Sequence, residues 1–218
     1  FGEWQTVTEP TFDTDGSEKR ECALCDKDET RPIDKLSVAY TITVNIDGVE
    51  SFVKVPVSGA YELTEPVKVG YAFTGWTDGS ASFPSTGVVS ENKTVTANFE
   101  ILPTKTFDEL KTRLEGGADK ILIADNITLT DTICIIGEVE IYTLGNYTLT
   151  RDASFTKDLF VLGEDKNGDS SILSDSFAKV TIKPAEGASL TIDGNKSNLT
   201  DKVVGTAFFM TSGSTLNI

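Results

Sequence analysis

The chain contains no histidine, which removes the commonest general base near neutral pH and the commonest nitrogen ligand for a metal ion. It has one methionine, two tryptophans and three cysteines. No apolar run reaches the length of about 18 residues needed to span a bilayer as a helix, so no membrane-inserted segment is expected. Basic residues are scarce as well: 19 stand against 34 acidic ones, a formal charge of −15. That field repels nucleic acid and anionic membrane surfaces, and neither is an expected partner. What remains is 218 residues, 39% apolar and 24% charged, the balance of a folded protein rather than a disordered one. The length suits one or two domains or a string of smaller modules. Abundant Thr, Ser, Gly and Asp with little Cys and Met point to an exported protein. The opening Phe1-Gly2-Glu3-Trp4 carries neither an initiator methionine nor a signal peptide and reads as an internal start.

A short phrase occurs twice. Gly187-Ala-Ser-Leu190-Thr-Ile192 returns 26 residues later as Gly213-Ser-Thr-Leu216-Asn-Ile218. Self-similarity at such a period signals stacked units, each burying its apolar face on a neighbour. The spacing predicts parallel rungs over residues 121–218, with Leu190 stacked on Leu216 and Ile192 on Ile218. The second copy ends the chain without a polar capping repeat, so the chain reads as part of something longer.

Residues 1–36 form a charged, turn-rich stretch anchored by Trp4, Val7, Phe12 and Ile33. Asp15-Gly16 predicts a hairpin turn between two extended arms, with Cys22-Ala-Leu-Cys25 on the second arm. Trp4-Gln-Thr-Val7, Asp15-Gly16, Cys22, Cys25 and Glu29-Thr30 resemble a small CxxC repeat of surface proteins from gut Firmicutes. Position 12, where that repeat usually has cysteine, is Phe12. Two thiols and no histidine fall short of the four donors of tetrahedral zinc, so no metal site is expected. The two thiols, or a local disulfide between Cys22 and Cys25, sit on a spacer hairpin.

Residues 37–100 alternate more regularly. Tyr40, Ile42, Val44 and Ile46 share one face at period two, before the turn Asp47-Gly48 and the run Phe52-Val53-Lys54-Val55. Val69-Gly70-Tyr71-Ala72-Phe73-Thr74-Gly75-Trp76 and Thr94-Val95-Thr96-Ala97-Asn98-Phe99 follow. These motifs resemble the Listeria–Bacteroides repeat of the internalin B type, which implies a β-grasp-like module. Tyr71, Phe73 and Trp76 then supply apolar area to a small core. The competing reading makes Tyr71 or Trp76 a platform for sugar rings.

Beyond Pro103, residues 101–218 change character again. Thr106-Phe-Asp-Glu-Leu110-Lys-Thr-Arg-Leu114 has capping-box form and helical spacing, and Gly116-Gly117 ends it. Only strand signals follow. These are apolar–x–apolar triplets at Ile121, Ile127, Ile133, Val139, Tyr147, Leu159, Val180, Leu190, Phe208 and Leu216, the last five completed by Val161, Ile182, Ile192, Met210 and Ile218. A helix ahead of the first rung covers an otherwise open end. Ile127 to Ile135 and Leu190-Thr-Ile192-Asp193-Gly194 resemble the start of a pectate-lyase-like right-handed β-helix of bacterial adhesin type. The expected fold class is therefore mainly β and multidomain: small β modules, then a helix-capped right-handed parallel β-helix. A two-sheet sandwich is the alternative architecture.

A lyase on a β-helix needs clustered acids and a Lys or Arg base on neighbouring rungs, and a hydrolase needs two spaced carboxylates. No Asp pair recurs on successive strands, and Lys179, Lys183, Lys196 and Lys202 show no partner cluster of acids. No catalytic residue is assigned, and no cofactor. Asp165, Asn167 and Asp169 alternate like the first ligands of a calcium loop, but the glycine falls early and Ser176 stands where the bidentate Glu belongs. A solvated insertion is the preferred reading. The sequons at Asn92, Asn126, Asn146, Asn195 and Asn198 are taken as unglycosylated, because the resemblances are bacterial. The expectation is an extracellular, adhesin-like binding protein of a Gram-positive cell surface, without enzymatic activity. Its partner would be a host or dietary glycan, or a mucosal protein such as immunoglobulin. The alternative is the N-terminal accessory part of a β-helix polysaccharide lyase or glycoside hydrolase.

Overall fold

The computed structural model describes residues 1–25, 27–79, 81–163, 177–196, 205–210 and 213–218. The fold is mainly β, built from several sheets with one short helix among the described residues. The chain divides into two compact units, residues 1–66 with 73–98 and residues 67–72 with 99–218.

The first unit opens with β1 (Gln5–Thr8), β2 (Gly16–Glu21) and β3 (Asp28–Ile33), an antiparallel sheet in that order. The link from β1 to β2 is longer than the tight turn expected at Asp15-Gly16. Thr11 organises it, its Oγ1 accepting from the amides of Asp13 and Thr14, and Gly16 is already paired with Ile33. The cysteines are displaced from their expected place too. Cys22 and Cys25 lie in the turn between β2 and β3, not on an arm, and are joined as a disulfide. Trp4 is held between two guanidiniums, with Arg20 at 4.6 Å and Arg31 at 4.2 Å from its ring.

Next come β4 (Val38–Ile46), β5 (Val49–Pro56), β6 (Ala60–Glu62), β7 (Tyr71–Asp78), β8 (Ala81–Phe83), β9 (Thr86–Val88) and β10 (Lys93–Ile101). Five of them form a sheet in the order β5-β4-β10-β7-β8, while β6 and β9 pair apart. β4 and β5 are joined through Asp47-Gly48, both at positive φ (50° and 85°), the two-residue turn whose twist matches a hairpin. The period-two reading of β4 holds: Ile42 and Val44 are buried, as are Val55, Trp76 and Val95. β10 runs parallel to β4, with Val95 opposite Val44.

The second unit takes the start of β7 and the end of β10 and continues with β11 (Pro103–Thr104) and α1 (Phe107–Glu115). Thr106 caps α1 as its sequence predicts. Its side chain accepts from the Glu109 amide and Glu109 reaches back to the Lys105 and Thr106 amides. The strands that follow are β12 (Lys120–Ile123), β13 (Ile127–Leu129), β14 (Ile133–Ile135), β15 (Gly137–Thr143), β16 (Asn146–Arg151) and β17 (Phe160–Leu162). After them come β18 (Ala178–Ile182), β19 (Ser189–Asp193), β20 (Phe208–Met210) and β21 (Thr215–Asn217). They form three parallel sheets, β11-β12-β15-β18-β21, β13-β16-β19 and β14-β17-β20, which the chain visits in turn. Inward residues stack in register: Ile121 on Ile141, Ile127 on Leu149, Ile133 on Phe160 and Val139 on Val180. These side chains form one apolar core that also takes in Leu110 and Leu114 of α1, each fully buried group being worth about 1.5–3 kcal/mol. α1 touches β12, β13 and β14, the first strand after it in each sheet.

The repeated phrase does not stack on itself. Leu190 lies opposite Tyr147 in the β13-β16-β19 sheet, whereas Leu216 lies opposite Val180 in the five-stranded sheet. The two copies share a local turn: Gly187 and Gly213 both have positive φ, 78° and 87°, a conformation glycine adopts without strain. The echo therefore marks how the chain enters a strand, not which sheet the strand joins. The parallel arrangement rests on the other registers, whose spacing in sequence is uneven. One triplet is also shifted by a residue, since β17 turns Phe160 inward onto Phe208, with ring centroids 5.1 Å apart.

Candidate functional site

In the five-stranded parallel sheet, alternate residues point to opposite faces. Val139, Ile141, Val180 and Ile182 go to the core, which leaves Glu138, Glu140 and Tyr142 of β15 on the outside. Register sets their neighbours. Lys120 of β12 stands opposite Glu140, and Thr181 of β18 flanks Glu140 on the other side. Glu138 faces Lys179, and Thr181 faces Asn217 of β21.

The contacts follow from that placement. Lys120 Nζ lies 2.9 Å from Glu140 Oε1 and 4.8 Å from the Tyr142 ring centroid. Lys179 Nζ donates to Glu138 Oε2 at 3.1 Å, and Asn217 Nδ2 donates to Thr181 Oγ1 at 3.3 Å. The hydrogen bond to Glu140 raises the pKa of Lys120, with burial opposing it. Between these pairs lies a depression of about 280 Å³ lined by Asp119, Glu138, Val139, Glu140, Lys179 and Thr181. Its ion pairs are part-exposed, and such pairs contribute only about 0–1 kcal/mol to stability. Little is lost when a ligand's polar groups replace one partner. The face thus offers alternating donors and acceptors in fixed positions, suited to hydroxyl-rich or polar surfaces.

This placement corrects the reading of Lys179 as a lysine without acids. Asp119 and Glu140 join Glu138 around the depression because β12 and β15 are neighbours, a relation invisible in linear order. Lys183 and Lys196 are exposed. Lys202, like Asp165, Asn167 and Asp169, lies outside the described residues. Among the described residues no three His, Cys, Asp or Glu side chains come close enough together to hold a metal ion. Trp76 is only 2% exposed and packs on Phe73 with centroids 5.2 Å apart; a ring so enclosed offers no sugar platform. Tyr71 is half-buried and meets Phe99 edge to face.

The sequon asparagines tie the backbone together. Asn92 Oδ1 accepts from the Thr41 amide, Asn126 Oδ1 from the Thr148 amide and Asn146 Oδ1 from Ser189 Oγ. Asn195 Nδ2 donates to the Arg151 carbonyl; Asn198 lies outside the described residues. Arg151 itself escaped the sequence reading. It is 1% exposed at the end of β16, and its guanidinium donates to the carbonyls of Phe155, Lys157, Gly205 and Thr206. Burial lowers its pKa and the Asp158 carboxylate opposes that shift. The signal was available: Tyr147, Leu149 and Arg151 share one parity, so the inward face of β16 ends on arginine.

No family model, no curated protein and no solved structure matches the chain. Among the described residues no helix is long and apolar enough to cross a membrane.

Proposed function

We propose that the chain belongs to an extracellular, adhesin-like binding protein of a bacterial cell surface. In this reading residues 1–36 are a CxxC spacer repeat and residues 37–100 a β-grasp-like spacer repeat. Residues 101–218 are the helix-capped start of a right-handed parallel β-helix whose outer face binds a host or dietary macromolecule. The observation that supports it most is the polar outer face of the five-stranded sheet, where Glu138, Glu140, Lys179 and Thr181 are held in strand register around a depression and Lys120 pairs with Glu140. A face of paired charges and hydroxyls fits a glycan or a polar protein surface better than a polyanion, which the charge of −15 repels.

The test is a binding screen of the chain against neutral and acidic glycans, mucin and immunoglobulin, with a Glu138→Ala/Glu140→Ala/Lys179→Ala triple variant alongside. Binding to a glycan or a mucosal protein that falls at least tenfold in the triple variant supports the reading. Binding that the triple variant leaves unchanged removes this face from it. Turnover of a polysaccharide that is lost on Lys179→Ala places a lyase or hydrolase role ahead of adhesion.

A further inference from the structure

Outside that face, the second unit carries a cluster with a different chemistry. Lys68 Nζ lies 4.3 Å from the ring centroid of Tyr71 and 5.9 Å from that of Phe99. The same ammonium is 3.2 Å from the carboxylate of Asp119. The two rings meet edge to face at 75°, with centroids 6.4 Å apart. Lys68 is 22% exposed at its side chain, whereas Asp119 is 59% exposed. A cation is thus enclosed by two aromatic rings and a carboxylate that remains open to solvent. Aromatic faces attract cations through the ring quadrupole, and aromatic enclosures of this kind recognise quaternary ammonium groups.

We propose that Tyr71, Phe99 and Asp119 form a binding site for a quaternary ammonium group, and that Lys68 occupies it as an internal competitor. Two observations and one physical argument carry the assignment. The site already holds a positive charge, so its electrostatics suit a cation. Lys68 lies in the link between β6 and β7, outside both strands, so displacing its side chain breaks no strand pairing. Hydration sets the preference: a primary ammonium is strongly hydrated, whereas a tetraalkyl cation has no N–H to solvate and loses less on meeting ring faces. Lys120 over Tyr142 is not equivalent, because it sits within β12, meets one ring and is bonded to Glu140. Asp119 also lines the depression described above, so it is the one residue the two places share.

The experiment titrates the wild-type chain and Lys68→Ala with tetramethylammonium chloride, following the Tyr71 ring resonances by NMR. The neutral isostere 3,3-dimethylbutan-1-ol serves as the second probe. Removing the internal competitor should tighten tetramethylammonium binding at least tenfold, while the neutral isostere leaves the resonances unmoved. Adding Asp119→Asn or Tyr71→Ala to Lys68→Ala should weaken binding at least tenfold. Asp119→Asn alters an exposed group and keeps the test decisive if Tyr71→Ala fails to fold. Equal affinity in wild type and Lys68→Ala, equal response to the neutral isostere, or indifference to Asp119→Asn would each overturn the proposal. Glu138→Ala should leave tetramethylammonium binding unchanged, which separates this site from the outer-face reading.

Discussion

At the scale of single residues, Arg151 shows how a charge is accommodated next to an apolar core and Thr106 how an exposed helix end is satisfied. Arg151 brings a full charge inside and is tolerated because four carbonyls from two connecting segments converge on it. Replacing it with methionine keeps much of the volume but removes the guanidinium from those carbonyls, of which Thr206 keeps the Leu159 amide, at a cost of about 2–4 kcal/mol. Urea unfolding of Arg151→Met should show that loss, and an unchanged midpoint would mean the carbonyls find water instead. Thr106→Ala removes an N-cap and should cost about 1 kcal/mol. Its partner Glu109 has a lowered pKa, chiefly from the Lys105 amide, with the Thr106 amide and Arg113 adding and burial opposing. A lowered carboxyl pKa means the stabilisation is complete above the ordinary glutamate range. It is lost as pH falls through that range to the folded value. The melting temperature of wild type should therefore fall faster on acidification than that of Glu109→Gln.

At the scale of elements, α1 covers one end of the stack. Leu110 and Leu114 are 0% and 2% exposed and belong to the same core as the strands. Leu110→Ala and Leu114→Ala should each cost about 2–5 kcal/mol, whereas Leu144→Ala, at a side chain 70% exposed, should change stability by less than about 0.5 kcal/mol. Equal effects at all three positions would show that α1 is not packed as a cover. The helix and the short strands were legible in the sequence because their signals are local: a capping box, a closing Gly-Gly, and apolar residues two apart. Pairing was less legible. A parallel partner lies far off in the chain and at uneven sequence distances, so Leu216 meets Val180 rather than Leu190. The polar face was missed for the same reason. Glu138 and Lys179 are far apart in the chain and become neighbours only through register. The cysteines were misplaced because Asp15-Gly16 looks like a tight turn, while the chain turns tightly at Cys22–Cys25 instead.

At the scale of the whole molecule, net charge and the parallel stack set what the protein can meet. With 34 acids against 19 bases, pectate, alginate and chondroitin are repelled at low salt, and only higher ionic strength screens that repulsion. Incubation with these polymers should give no rise in the absorbance of unsaturated products, with or without calcium. Every functional residue proposed for the outer face depends on the strands being parallel and in the stated register. A methyl- and aromatic-labelled NOESY spectrum tests that register most directly. Cross-peaks from Leu216 to Val180, from Ile192 to Leu149 and from Leu190 to the Tyr147 ring are the predicted result. Contact between Leu190 and Leu216, with no signal from Leu216 to Val180, would contradict the register and take the outer face apart with it.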